Sequence, residues 1–283
     1  MTAIAVRIHA LTAVLAMSCA APSSAVPSST VPAASSAELH VMSSGGFTAA
    51  YLELLPAFQR ATQLQVTTVY GPSMGDAPEA IPVRLARGEP ADVVIMVGYA
   101  VDDLIKQGKV VAGSRVDLAR SRIGVAIRAG APRPDITTTA GLAKALLDAK
   151  SIAYSDSASG VYVSTELFQR LGIAGQVTSK SRQIKSERVG NVVARGDAEI
   201  GFQQISELLP VPGIELLGPL PEQVQKITVF SAGVAASAKS PESAKSLIRF
   251  LASPDASATV KKSGLEPIGA GSDAHRTGSV SVR

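Results

Sequence analysis

A single cysteine in 283 residues leaves the chain no internal disulfide, so packing and hydrogen bonds must hold the fold. Tryptophan is absent and aromatic residues make up only 4%. That argues against aromatic sugar platforms and against base-stacking surfaces for single-stranded nucleic acid. The three histidines, His9, His40 and His275, stand far apart. None reads as part of a metal cluster or a nucleophile–base pair, so no metal site is expected. No Walker-type phosphate loop occurs, and no apolar run is long enough for an ordinary membrane span. The net charge of +4 is spread along the chain rather than gathered into a stripe. Nucleic acid is therefore not the expected partner, whereas small anions suit such a surface.

What is present supports a sizeable core. Apolar residues make up 46% of the chain, and the length fits one large domain or two lobes. Residues 1–20 read as a secretory signal peptide. Arg7 supplies the positive start, Ile8 to Met17 the apolar stretch, and Ser18-Cys19-Ala20 a small-residue cleavage site. Cys19 has two readings: an incidental residue near the cleavage site, or the lipidated first residue of a lipoprotein. In the second, Leu15-Ala16-Met17-Ser18-Cys19 is an imperfect lipobox. Residues 21–37 form a Ser/Pro/Ala-rich linker. Residues 270–283 are polar and Gly-rich and read as a disordered tail. The chain is thus expected to be exported to the periplasm and to fold from about Glu38.

The stretch Ser155-Asp156-Ser157-Ala158-Ser159-Gly160-Val161-Tyr162 organises the reading. A short apolar run, Ile152 to Tyr154, precedes it as a buried strand, and Val163 to Leu171 follows as a helix. A strand that turns into a helix through serines and glycine offers hydroxyls and free backbone N–H groups at a positive helix end. That is a site for an anion. The plan repeats after Leu39–Met42, with Ser43-Ser44-Gly45-Gly46 leading into a helix at Phe47–Ala61 that Ser44 can cap. It repeats again after the strand Gln65–Tyr70, with Gly71-Pro72-Ser73-Met74-Gly75.

Further elements follow from periodicity. Helices are expected at Ala80–Arg87, Val101–Gln107, Thr139–Ala149, Ser186–Arg195, Pro241–Leu251 and Pro254–Lys262. Strands are expected at Ala91–Met96, Arg122–Arg128, Ala198–Phe202, Ile214–Leu217 and Val224–Ala235. The alternation of strands and helices predicts an α/β fold with open, mostly parallel sheets, whose ligands sit beyond the carboxyl ends of the strands. Arg122–Arg128 crosses to a second lobe and Val224–Ala235 returns. Residues 38–122 with 227–269 then form the first lobe and residues 123–226 the second.

These features together resemble a type II periplasmic solute-binding protein, and more closely its molybdate-binding-protein-like branch, which also includes periplasmic aconitate isomerases. The resemblance rests on SSGG at 43–46, GPSMG at 71–75, GEPADVVI at 88–95, Ser155 to Tyr162, and EIGFQQ at 199–204. It implies a two-lobed fold with the ligand in the cleft between lobes. The ligand-binding positions it implies are Ser43, Ser44, Gly45, Gly46, Ser73, Met74, Gly75, Ser157, Ser159, Gly160, Tyr162, Gln203 and Gln204. Gln204 departs from the molybdate pattern, where a tyrosine stands, and keeps a polycarboxylate in contention. Arg84, Arg87, Lys185 or Arg188 could pair with its carboxylates. The first functional reading is a monomeric receptor that captures a small anion and delivers it to the membrane subunits of an ABC importer. The alternative is an aconitate isomerase on the same fold. Neither needs a cofactor. The isomerase would need a base, and Asp156, Tyr162 and Lys185 are the candidates, with none singled out.

Overall fold

The computed structural model describes residues 38–185 and 187–268. The leader, linker and tail expected from the sequence lie outside them.

The elements, in chain order, are β1 (Glu38–Ser43), α1 (Gly45–Thr62), β2 (Gln65–Tyr70), α2 (Ile81–Ala86), β3 (Val93–Val97), α3 (Gly98–Lys106), β4 (Val116–Arg128), α4 (Thr139–Asp148) and β5 (Ile152–Ser155). Next come α5 (Ala158–Tyr162), a turn of π-helix over Val163–Leu167 and α6 (Phe168–Arg170), joined end to end, then α7 (Ala174–Val177), β6 (Ser181–Ile184) and α8 (Val189–Arg195). The chain closes with β7 (Ile200–Gln204), α9 (Ile205–Leu208), β8 (Ile214–Pro219), β9 (Ile227–Val234), α10 (Pro241–Leu251), α11 (Ser257–Lys262) and β10 (Glu266–Pro267).

β4 links two sheets. Its first half, Val116 to Arg122, pairs antiparallel with β9. β9 pairs with β3, and β3 continues through β1 to β2 in parallel. From Ile123 to Arg128 the same strand pairs with β7 and β8, and β7 continues through β5 to β6 in parallel. The mixed α/β architecture is that of a two-lobed binding fold, with the change of partner between Arg122 and Ile123. At that point the Gln225 carboxamide binds both backbone groups of Ile123, accepting from its N–H and donating to its carbonyl, each at 3.1 Å.

Sequence explains most of this locally. β3 (VVIMV) is buried at every position because helices and neighbouring strands cover both of its faces. α1 buries Phe47, Tyr51, Leu54 and Phe58 at helical spacing, each contributing roughly 2 kcal/mol by burial. Pro56 sits inside α1 on its exposed side, where the carbonyl it leaves unpaired can meet water. Some expectations shift. The crossing strand begins at Val116 rather than Arg122. The helix after β5 begins at Ala158 rather than Val163, which leaves only Asp156 and Ser157 as loop. β7 extends through Gln204, two residues beyond the expected strand end at Phe202, so Gln203 and Gln204 belong to the strand. β6 (SRQI) carries no apolar run because it is an edge strand with only Ile184 buried.

Candidate functional site

The loops after β1, β2 and β5 meet α9 around a cavity of about 480 Å³, within the usual range for a small-molecule site. From the first sheet's side come Ser44, Gly45, Gly46, Thr48 and Leu52, the stretch Tyr70–Pro72, and Glu79. From the second come Ser155 to Ser159, Glu187, Arg188, Gln203, Gln204 and Glu207. Phe230 of β9 completes the lining.

Two helix N-termini reach it. Ser44 is the N-cap of α1 and Ser157 that of α5, yet neither side chain makes a capping hydrogen bond. Sequence expects Ser44 to cap. The structure instead leaves Ser44, a lining residue, with its Oγ buried and without a partner. The first-turn N–H groups of an uncapped helix favour negative charge beside them. Ser159 is also buried, and its Oγ lies 3.0 Å from Ser155 Oγ.

Glu207 dominates the electrostatics. Its carboxyl is pushed up to about 7, first by burial, with a smaller push from Asp156. Arg188 and a hydrogen bond from Gln203 act in the opposite direction. Gln203 Nε2 donates to Glu207 Oε1 at 3.1 Å, while Gln203 Oε1 accepts from Val189 N–H at 2.9 Å. One carboxamide thus holds both the start of α8 and the Glu207 carboxyl. On its other side the carboxyl rests against Gly45, where a Cβ would come within 2.1 Å of Oε1. Beside it, Ser206 Oγ donates to Gly46 O at 2.7 Å, and a Cβ on Gly46 would strike the Phe230 ring. Asp156 is also raised, chiefly by burial, with Glu79 adding to the shift and Lys185 opposing it. Glu187 goes the other way: two hydrogen bonds from Arg195 hold it low.

The structure brings seven of the sequence-predicted residues to this cavity: Ser44, Gly45, Gly46, Ser157, Ser159, Gln203 and Gln204. It sets the other six apart from it. Ser43 Oγ donates to the adjacent Ser44 carbonyl. Ser73 is fully buried and its Oγ accepts from Val97 N–H at 3.1 Å, so its hydroxyl ties the β2 loop to β3. Met74 takes a hydrogen bond from the Tyr99 hydroxyl, and Gly75 is exposed with positive φ. Gly160 meets the end of β5, since a Cβ there would come within 1.6 Å of Ser155 O. The Tyr162 hydroxyl donates to Val224 O at 2.6 Å.

Among the cations weighed from sequence, Arg188 lines the cavity. Arg84 and Arg87 are paired with Glu89, and Lys185 is exposed outside the lining. Among the bases weighed, Asp156 lines it, whereas Tyr162 and Lys185 do not. Sequence reasoning missed Glu207. The available signal was an acid three residues beyond the Gln203-Gln204 strand end, on a segment (ISEL) otherwise built to be buried. Among the described residues, no group of three or more His, Cys, Asp or Glu side chains could hold a metal ion. No helix among them is long and apolar enough to cross a membrane.

Comparison with known proteins supplies the wider setting. Residues 39–266 match the family described as bacterial extracellular solute-binding protein. Over 230 residues the chain is 49% identical to an aconitate isomerase of Pseudomonas sp, covering 81% of this chain and 88% of that protein. Among solved structures, the periplasmic molybdate-binding protein of Azotobacter vinelandii aligns with TM-score 0.65 at 21% identity, over 80% of this chain and 98% of that one. The sulfate-binding protein of Mycobacterium tuberculosis H37Rv also aligns with TM-score 0.65, at 19% identity, over 82% of this chain and 87% of that one. At these identities the two structures speak to the fold alone.

Proposed function

This chain belongs to the bacterial extracellular solute-binding proteins, and we propose that within that family it is an isomerase of a small unsaturated tricarboxylate, interconverting trans- and cis-aconitate. The observation that carries this reading is Glu207, a carboxyl held at the cavity wall by Gln203 and brought to about 7 by its surroundings. A base is most effective when its pKa lies near the working pH. The relative named aconitate isomerase, 49% identical over most of both chains, supports the substrate.

The reaction needs one proton moved and nothing else. Glu207 takes a proton from the methylene carbon of trans-aconitate. The electron pair left behind forms a new double bond to the central carbon, and the old double bond opens toward the other end of the three-carbon unit. Charge spreads over the allylic carbons and their carboxylates, and the conformation in which the methylene carbon was bound, turned about its single bond to the central carbon, sets the geometry of the new double bond. Glu207 then returns the proton to the far carbon, giving cis-aconitate. No electron is gained or lost, so no redox partner is required. Arg188, the Ser44 hydroxyl and the N–H groups that open α1 and α5 are the groups available to hold the carboxylates and to stabilise the spread charge.

A second reading keeps the chain a receptor that carries a small anion to an ABC importer. It draws on the solute-binding fold and on the anion-friendly helix ends Ser44 and Ser157, which serve carriage as well as catalysis. Incubation with trans-aconitate, followed by ultraviolet absorbance and by chromatography for cis-aconitate, separates the two. Turnover to an equilibrium mixture is expected. Tight binding of aconitate without turnover would return the protein to the receptors.

A further inference from the structure

Gln204, a residue of the cavity lining, carries a second buried polar atom without a partner. Gln204 is 2% exposed. Its Nε2 donates to Thr228 Oγ1 at 3.1 Å, but its Oε1 has no hydrogen bond. Buried amide oxygens are almost always satisfied, and an oxygen can be satisfied only by a donor. The vacant valence therefore asks for an N–H or O–H from whatever fills the cavity.

The charges around Gln204 point the same way. Glu79 before α2, Asp156 before α5, Glu187 before α8 and Glu207 on α9 line the cavity, and Arg188 is the one cation among the lining residues. Glu187 is matched by Arg195, and Glu79 has a partner of its own. Behind Thr228 lies a second cavity, in which Arg115 pairs with Asp102 and Lys226 with Glu166. The two cations that line this second cavity are thus both paired with carboxylates. A fully ionised tricarboxylate would bring three negative charges to a wall rich in carboxyls. A ligand that keeps one carboxyl protonated brings one charge fewer and also supplies the missing donor.

We propose that Gln204 sets the specificity of this site by accepting a hydrogen bond at Oε1 from a protonated carboxyl of the ligand, so that the cavity takes a polycarboxylic acid in a partly protonated form. The inference rests on the polycarboxylate reading of the cavity given above. Dianionic molybdate and sulfate carry no proton at neutral pH and leave Oε1 unsatisfied. The opposite orientation of the amide, with Thr228 donating to Oε1 and Nε2 turned to the ligand, would instead favour a carboxylate. The two differ in the protons that binding takes up.

Calorimetric titration with tricarballylate, a saturated tricarboxylate that cannot isomerise, in buffers of different ionisation enthalpy reads this directly. Glu207→Gln is the reference protein, which removes proton uptake by that carboxyl. Gln204→Met in the same background should lower uptake by about one proton per ligand and weaken binding at pH 6 by about tenfold. The rise of Kd with pH should also lose up to about tenfold per unit. Should Gln204→Met fail to fold, Thr228→Val, which unties the amide from its anchor, is expected to move uptake and affinity in the same directions. Tricarballylate binding with uptake unchanged by either substitution overturns this inference alone. Absence of tricarballylate binding at any pH overturns it together with the reading on which it rests.

Discussion

The two faces of the cavity are built alike and equipped differently. On both, a strand runs through a serine-bearing loop into an uncapped helix start, at Ser44 and at Ser157. The first sheet's face adds mostly hydroxyls, glycines and the Tyr70–Pro72 loop, with Glu79 its one titratable carboxyl. The second sheet's face adds Asp156, Glu187, Arg188 and Glu207 together with two glutamines. The first face has the means to hold an anion through dipoles and hydroxyls. The second also carries Glu207, a carboxyl raised to about 7 by burial.

Removing the proton carrier should break this asymmetry most completely. Glu207→Gln is expected to lower turnover of trans-aconitate by about 10²–10⁴-fold while tricarballylate still binds. A variant that retains turnover within tenfold would move the base elsewhere, with Asp156 next in line. The same substitution reports on stability. Between pH about 4.5 and about 7 the folded protein keeps a proton on Glu207 that the unfolded chain has released. Stability is therefore fullest below that window and falls as pH rises through it, by up to about 3 kcal/mol. Glu207→Gln should flatten that slope in urea melts taken from pH 5 to pH 8, and an unchanged slope would assign it to other groups.

A smaller effect is expected where the faces touch. Gly45→Ala places a methyl group within 2.1 Å of Glu207 Oε1, so the carboxyl or α1 must shift. A loss of about 1–3 kcal/mol of stability should accompany reduced turnover and a displaced pH optimum. Normal turnover with an unmoved optimum would mean that the contact is incidental to the position of Glu207.

The finest distinction lies within the first face. Ser73→Ala leaves the buried Val97 N–H without its acceptor, which should cost about 1–3 kcal/mol of stability and leave Kd for tricarballylate nearly unchanged. Ser44→Ala removes a hydroxyl that has no protein partner. It should leave stability equal or slightly higher while weakening binding by up to about tenfold. Thermal melts and titrations of the two variants check the pair, and the opposite pattern would exchange the roles of the two serines.

Those two serines mark how far the sequence could be read. Both stand in a loop between a β-branched or apolar strand and a helix, and both look like anion ligands. Which serine is tied away from the cavity depends on Val97 N–H, 24 residues away from Ser73, and local pattern carries no information about that partner. Tyr162 likewise looks like a ligand contact four residues into its helix, but its hydroxyl is taken by Val224 O, 62 residues on. The strand-and-helix order, the crossing at β4 and the anion-friendly loops were legible because apolar periodicity and Ser/Gly turn chemistry are local.

The sequence by itself determined the α/β order and the two-lobed plan, since each follows from spacing along the chain. The tertiary structure decided which polar groups are left unsatisfied at the cavity and which carboxyl is poised near neutrality. Glu207 is an unremarkable residue on a short helix until β7, α8 and the glycines of α1 close around it. Burial and neighbouring charge set a pKa, and both exist only once segments some 160 residues apart, such as Ser206 and Gly46, have come together.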